Sequence, residues 1–122
     1  MEEIVASHHS VAECAVIGIN DELKGQIPLA LVVAKSGEDI EHFQLQHEVV
    51  HLVREQIGAV ASLRDVVIVQ RLPKTRSGKI LRKMMRSIAD GEQFQVPSTI
   101  DDEAIIDEIR DVLEHAKIGC FK

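Results

Sequence analysis

Apolar positions along this chain change rhythm several times, and each change marks an element. From Val11 to Ile19 they are dense, β-branched and loosely alternating, and a second such run extends from Ile27 to Ala34. Asn20-Asp21 and Lys24-Gly25 supply turn residues between the runs, so the two read as strands joined by a short loop. Pro28 stands near the start of the second strand, where a missing N–H least disturbs a ladder. The rhythm then becomes helical. Ser36 to Asp39 offer helix-start residues, and from Ile40 the apolar positions Phe43, Val50, Val53 and Ile57 keep helical spacing until Gly58 supplies a stop. Asp65 to Val69 is a short β-branched run, a third strand, and leads into the polar loop Arg71 to Gly78. An amphipathic helix over 80–89 follows, with Leu81, Met84, Met85 and Ile88 on one face and Gly91 as terminator. After a linker containing Pro97, a last helix runs from about Asp102 to Lys117, its Asp101, Asp102 and Glu103 suiting the positive end of the helix dipole. Glu2 to Ser7 reads as the tail of a helix begun before Met1. The order (α)ββαβαα predicts an α+β fold. Its small, mostly antiparallel sheet has about three strands, residues 11–19, 27–34 and 65–69, with helices packed on it.

A chain of 122 residues, 45% apolar and 28% charged, is expected to form one domain over 1–122 with a real core. No apolar run approaches the roughly 20 residues of a membrane span, and the start, MEEIVASHHS, is acidic where a secretory signal is basic. These features predict no membrane partner and an intracellular, cytoplasmic location, or the mitochondrial matrix in a eukaryote. Cys14 and Cys120 are the only cysteines and read as two reduced thiols. Charge is unevenly spread. Seven of the 14 Lys and Arg residues, Arg71, Lys74, Arg76, Lys79, Arg82, Lys83 and Arg86, lie in one stretch with no acid among them, although the chain carries −6 overall. That asymmetry points to a local anion such as a phosphate rather than a long polyanion, which the remaining surface would repel. The three aromatic residues, Phe43, Phe94 and Phe121, do not interleave with the basic run, so no nucleic-acid partner is expected.

Two motifs compete for attention and fall short. Ser77-Gly78-Lys79-Ile80 invites comparison with a phosphate-binding P-loop, but Pro73 stands where the first Gly belongs, and Ile80 where Ser or Thr should meet magnesium. His47-Glu48-Val49-Val50-His51 fits a zinc-peptidase pattern on a helix. A third ligand is missing, because Arg54 and Ile57 occupy the Gly and His positions of the longer form, and Val49 and Val50 belong to the apolar face. No metal is expected to be held by these residues.

The stretch Leu72-Pro73-Lys74-Thr75-Arg76-Ser77-Gly78-Lys79-Ile80-Leu81-Arg82-Lys83 differs in kind. A rigid Pro leads a short cationic loop, Gly78 frees the backbone beside Lys79, and an amphipathic helix anchors the whole. Such an arrangement delivers one ammonium to a site outside its own domain; a solvated basic loop is the plainer reading. Residues 72–83 resemble the C-terminal signature of the adenylate-forming superfamily, with PKTRSGK in the form seen in acetyl- and propionyl-CoA synthetases. The likeness extends over Val11 to Gly18, Lys24 to Pro28, Val53 to Gly58 and Pro97 to Asp102, the last resembling the tail of the short-chain enzymes.

The resemblance implies a mechanism. Such enzymes join a carboxylate to AMP with loss of pyrophosphate, then rotate the small domain and pass the acyl group to coenzyme A. Lys79 would be the adenylation lysine, a compact mobile cation stabilising charge at the reacting oxygens. Arg54 would contact the nucleotide phosphates of coenzyme A in the second orientation. Thr75, Ser77 and Gly78 would shape the loop. ATP and coenzyme A would be cosubstrates, with Mg2+ held by a large N-terminal adenylation domain. A short-chain acid, propionate first and acetate second, would be the substrate. Acylation of an exposed, mobile Lys79 would remove its charge, making a lysine acyltransferase and a deacylase candidate partners. The family's hinge residue and acid pocket would lie before Met1, so the polypeptide alone is expected to have no ligase activity. The alternative is a stand-alone interaction module whose basic loop docks an acidic or phosphorylated partner.

Overall fold

The two apolar runs pair as expected. In the computed structural model, which describes residues 2–21, 25–35, 41–58, 63 and 65–118, β1 (Val11–Asp21) and β2 (Gly25–Ala34) form an antiparallel ladder from Val11 opposite Ala34 to Asp21 opposite Gly25. Lys24 of the connecting turn, the helix-start residues 36–40 and Cys120 lie outside the described residues. The third strand, β3 (Asp65–Val69), joins the other edge of β2 in parallel, Leu29 opposite Asp65 through Val33 opposite Val69. The sheet order is β1-β2-β3. The longer ladder is antiparallel and the shorter parallel, and the parallel pairing requires a crossover, which α2 (His42–Ile57) supplies. Central β2 is covered on both faces, so Leu29, Ala30, Leu31 and Val32 are all fully buried and show no polar alternation.

Helices cover the sheet on both sides. α1 (Glu2–Ala6) and α2 pack with Cys14, Ala30, Val32 and Val66, while α3 (Arg82–Asp90) and α4 (Ala104–Ala116) pack with Ala15, Ile17, Leu29, Leu31 and Val67. The alternation along β1 is displaced once, by a register shift between Val11 and Glu13. Because side chains alternate with period two, the extra residue puts Val11 on the same side as Cys14.

One helical face differs from expectation. α2 buries Leu45, Val49 and Val53, whereas Phe43 is 79% exposed and Ile57 42% exposed. The sheet takes the stripe spaced by four, so of the expected face Val53 is buried, Val50 packs at the core margin, and Phe43 and Ile57 are left outward. Gln46, one position along from Leu45, then donates to the Val66 carbonyl oxygen at 2.6 Å. α3 begins at Arg82 rather than residue 80 because the Leu81 N–H is drawn back to the Pro73 carbonyl at 2.9 Å. It ends at Gly91, left-handed at φ 70°, where Gly91 N–H reaches the Ile88 carbonyl and Glu92 N–H that of Ser87. α4 begins at Ala104, its N–H donating to Asp102 Oδ1 at 2.9 Å, and ends at a left-handed Lys117.

Glu48 of the histidine motif of α2 is taken up by a tertiary contact. Glu48 Oε1 lies 3.0 Å from Nε2 of buried His8, whose Nδ1 accepts from the Ser10 N–H, so the carboxylate ties α2 to the turn between α1 and β1. His51 pairs with Glu55 at 2.9 Å, one turn along the helix. At the open edge of β1, Glu2 accepts from the Val16 N–H at 3.2 Å and from Arg82 Nε at 3.3 Å, joining α1 to α3 around the sheet edge. Cys14 is buried with its thiol on the Glu2 carbonyl, and burial, reinforced by the nearby Glu2 charge, pushes it up to about 11, so it stays a thiol at neutral pH.

These carboxylates set an acid limit. His8 holds Glu48 below its ordinary value of 4.5; for Glu2 burial acts upward, but the Arg82 and Val16 donors outweigh it and the net shift is downward. The Ala104 N–H, then Arg71, depress Asp102 below 3.8. A depressed carboxylate contributes stability above its unfolded value and loses it as pH falls through its folded one. The urea midpoint should therefore decline as pH drops below about 4.5, and a variant combining Glu2→Gln, Glu48→Gln and Asp102→Asn should show a visibly shallower decline. Equal slopes for variant and wild type would refute the assignment.

Candidate functional site

Lys79 is exposed and follows a tight turn. Thr75 to Gly78 form the turn, closed by the Gly78 N–H on the Thr75 carbonyl and the Thr75 N–H on the Lys79 carbonyl, both 2.9 Å. Gly78 sits at φ 94°, a region costly to any residue with a Cβ, so the glycine beside Lys79 is required by the turn itself. Thr75 Oγ1 lies 2.9 Å from Ser77 Oγ and 3.1 Å from the Lys79 N–H. The structure thus brings Thr75, Ser77, Gly78 and Lys79 together in one short hairpin, with Lys74 opposite Ile80 at its base. Its root is apolar: Leu72 is buried, and Ile80 and Leu81 pack on the α3–α4 side of the core.

A second segment borders the hairpin. The Arg76 N–H donates to the Thr99 carbonyl and the Asp101 N–H to the Lys74 carbonyl, each at 2.9 Å, so that Thr75 faces Ile100 across an antiparallel bridge. Residues 74–76 are therefore bonded on both sides. Beyond Lys79, an open cavity of about 880 Å³ lies between the start of α3 and residues 92–97; Leu81, Met84 and Phe94 line it, with Lys79 and Lys83 also on its wall.

Tertiary contacts sort the seven cations of this stretch. Arg71 meets Asp102 and Glu108, Lys74 meets Glu13 at 2.7 Å, Arg82 meets Glu2, and Arg86 approaches Asp90 at 3.9 Å. Glu108 and then Asp102 raise the Arg71 pKa further, so the guanidinium is permanently charged. Arg76, Lys79 and Lys83 have no carboxylate partner among the described residues. The uncompensated charge is thus concentrated around Lys79, where an anion can approach it. Glu13, Thr99 and Glu108 were not legible as part of this site, because their partners lie 61, 23 and 37 positions away by number.

Arg54 is exposed in the last turn of α2. α2 covers the sheet face opposite α3, so Arg54 and the Lys79 hairpin belong to different layers, and the structure does not bring them together. Among the described residues no group of three His, Cys, Asp or Glu side chains is arranged around a common point. No helix among them is long and apolar enough to cross a membrane.

The comparisons agree with this geometry. Residues 1–79, ending on Lys79, match the AMP-binding enzyme C-terminal domain. The mitochondrial acyl-CoA synthetase short-chain family member 3 of Mus musculus is 46% identical over 95% of this chain and 17% of its own length. The propionate–CoA ligase of Escherichia coli K12 is 41% identical over 93% of this chain and 19% of its own. A crystal structure of Brucella canis acyl-CoA synthetase superposes with a TM-score of 0.64 at 35% identity, covering 70% of this chain and 16% of that one. The chain spans less than a fifth of the length of these relatives. With an α+β fold, a glycine-backed lysine hairpin and a family match covering well over half its residues, this chain belongs to the AMP-binding enzyme C-terminal domain family of adenylate-forming enzymes.

Proposed function

We propose that this chain is the lysine-bearing small domain of an AMP-forming short-chain acyl-CoA synthetase, working with a large N-terminal adenylation domain. The observation that carries the reading is Lys79 itself. It is an exposed cation without a carboxylate partner among the described residues, on a hairpin whose 74–76 arm is hydrogen-bonded on both sides, between two further uncompensated cations. A preorganised cation of this kind stabilises negative charge developing between a carboxylate and the phosphate of ATP. It needs no rearrangement of its own backbone to do so. Thr75, Ser77 and Gly78 keep the turn in shape. Arg54, on the opposite layer, binds a phosphate of coenzyme A when the domain presents its other side. Two orientations of one rigid domain then serve two half-reactions, adenylation and thioester formation.

ATP and coenzyme A are the cosubstrates. Of the acids near the hairpin, Glu13, Asp102 and Glu108 are each engaged by a cation of this chain, and among the described residues no three His, Cys, Asp or Glu side chains are grouped as a metal ion would need, so Mg2+ accompanying ATP is assigned to the large domain. Propionate is the first choice of acid and acetate the second, from the tail at residues 97–102 and the ligase named above. The exposed Lys79 amine is also open to a lysine acyltransferase and a deacylase, which would switch adenylation off and on by removing and restoring its charge. The compartment is the cytoplasm, or the mitochondrial matrix in a eukaryote.

The test is acid-dependent exchange of labelled pyrophosphate into ATP by the full-length protein, run across acids of two to six carbons. Propionate and acetate should support exchange and coenzyme A should not be needed. Absence of exchange with every acid would overturn the reading in favour of a docking module.

A further inference from the structure

We propose that Arg71 is a positioning residue for Lys79, a role that rests on the adenylation reading above. The Lys79 hairpin is the inner part of a small three-stranded arrangement in which residues 99–101 pair with 74–76, and 74–76 pair with 79–80. Lys79 therefore occupies the open side of a ladder whose far side is the 99–101 segment. Only two backbone hydrogen bonds hold that segment to the hairpin. Arg71, at the hairpin's root, adds the side-chain lock. Its Nη1 donates to Asp102 Oδ2 at 2.9 Å, and its Nε and Nη2 donate to Glu108, with Nε to Oε2 at 3.2 Å. The two edges of one guanidinium thus reach the end of the 99–101 segment and a point further along α4. Asp102 is shared, because its other oxygen receives the Ala104 N–H that opens α4.

Magnitudes separate placement from stability. The three side chains are 38–48% exposed, and ion pairs that open to water contribute little to folding. Ile100, 5% exposed beneath the hairpin, holds the segment in the core without help from Arg71. What Arg71 supplies is direction. Without it Asp102 and Glu108 keep their negative charges with no cation between them, and the register of 99–101 on the hairpin rests on its two backbone bonds and Ile100 alone. A displacement of about 1 Å at a reacting group can cost up to about 10² in rate. Lysine is a poor substitute, since a single ammonium lacks the fork that reaches two carboxylates at once.

The test uses full-length enzyme carrying Arg71→Gln, Arg71→Lys or Lys79→Ala. Arg71→Gln should lower kcat for propionate-dependent pyrophosphate exchange about ten- to a hundredfold, with Arg71→Lys intermediate. Conversion of preformed propionyl-adenylate and coenzyme A to thioester should stay within about twofold of wild type, and so should the KM for ATP. Hydrogen exchange should accelerate at the Arg76 and Asp101 amides but not at Met85. Equal loss of both half-reactions would reduce Arg71 to a structural residue, and full exchange activity in Arg71→Gln beside an inactive Lys79→Ala would refute the positioning role. Full exchange activity in Lys79→Ala would instead overturn the adenylation reading on which it depends.

Discussion

The full-length Lys79→Ala enzyme is expected to lose acyl-adenylate formation while still converting preformed acyl-adenylate and coenzyme A into thioester. The split follows from where the charge sits. Adenylation brings a carboxylate against the phosphate of ATP, and negative charge concentrates on the oxygens between them. Removing one preorganised donor at such a point costs about 10²–10³ in rate, and a full cation at the reacting oxygens costs more. Thioester formation from a finished adenylate no longer needs that cation. The fold should be indifferent, because Lys79 is exposed and its backbone bonds to Thr75 do not involve the ammonium. Exposed substitutions of this kind stay within about 0.5 kcal/mol. Acetylation or propionylation of Lys79 should reproduce the variant, since both remove the charge. The measurement is a pair of single-turnover assays, one from ATP and propionate, the other from propionyl-adenylate and coenzyme A. Survival of both reactions would make Lys79 a solvated surface lysine, and loss of both would contradict the division of labour.

Arg54→Ala should give the converse result. Arg54 lies on α2, on the sheet face opposite the hairpin, so one orientation of the domain cannot present both residues through the same layer. Truncating a charge-assisted contact to a phosphate costs about 1.5–3 kcal/mol, or roughly ten- to a hundredfold in affinity. That loss should appear in the KM for coenzyme A, with pyrophosphate exchange near normal. Arg54→Lys should recover part of it, as a single ammonium keeps the charge and loses the fork. A parallel fall in exchange would place Arg54 in the wrong half-reaction.

The order and type of the elements followed from the sequence alone, because hydrophobic rhythm and turn chemistry are properties of near neighbours. Residues 65–69 were legible as a strand from five consecutive positions, and Gly58 and Gly91 as helix ends from single residues. The Lys79 loop was legible for the same reason: Pro73, Gly78 and the amphipathic face beginning at Leu81 lie within nine positions. Tertiary structure alone decided three matters. It centred the buried face of α2 on Leu45, Val49 and Val53, which keeps Val53 of the expected face inside and leaves Phe43 and Ile57 exposed, because the sheet can cover only one side of the helix. It turned a zinc-like motif into a structural tie by bringing His8 to Glu48, 40 positions away. It also determined which cations remain available. In sequence the seven are equivalent, but Glu2, Glu13, Asp102 and Glu108 arrive from 80, 61, 31 and 37 positions away to engage Arg82, Lys74 and Arg71. Charge pairing depends on distance in space, to which local pattern is blind, and of the seven it leaves Arg76, Lys79 and Lys83 without a carboxylate partner among the described residues.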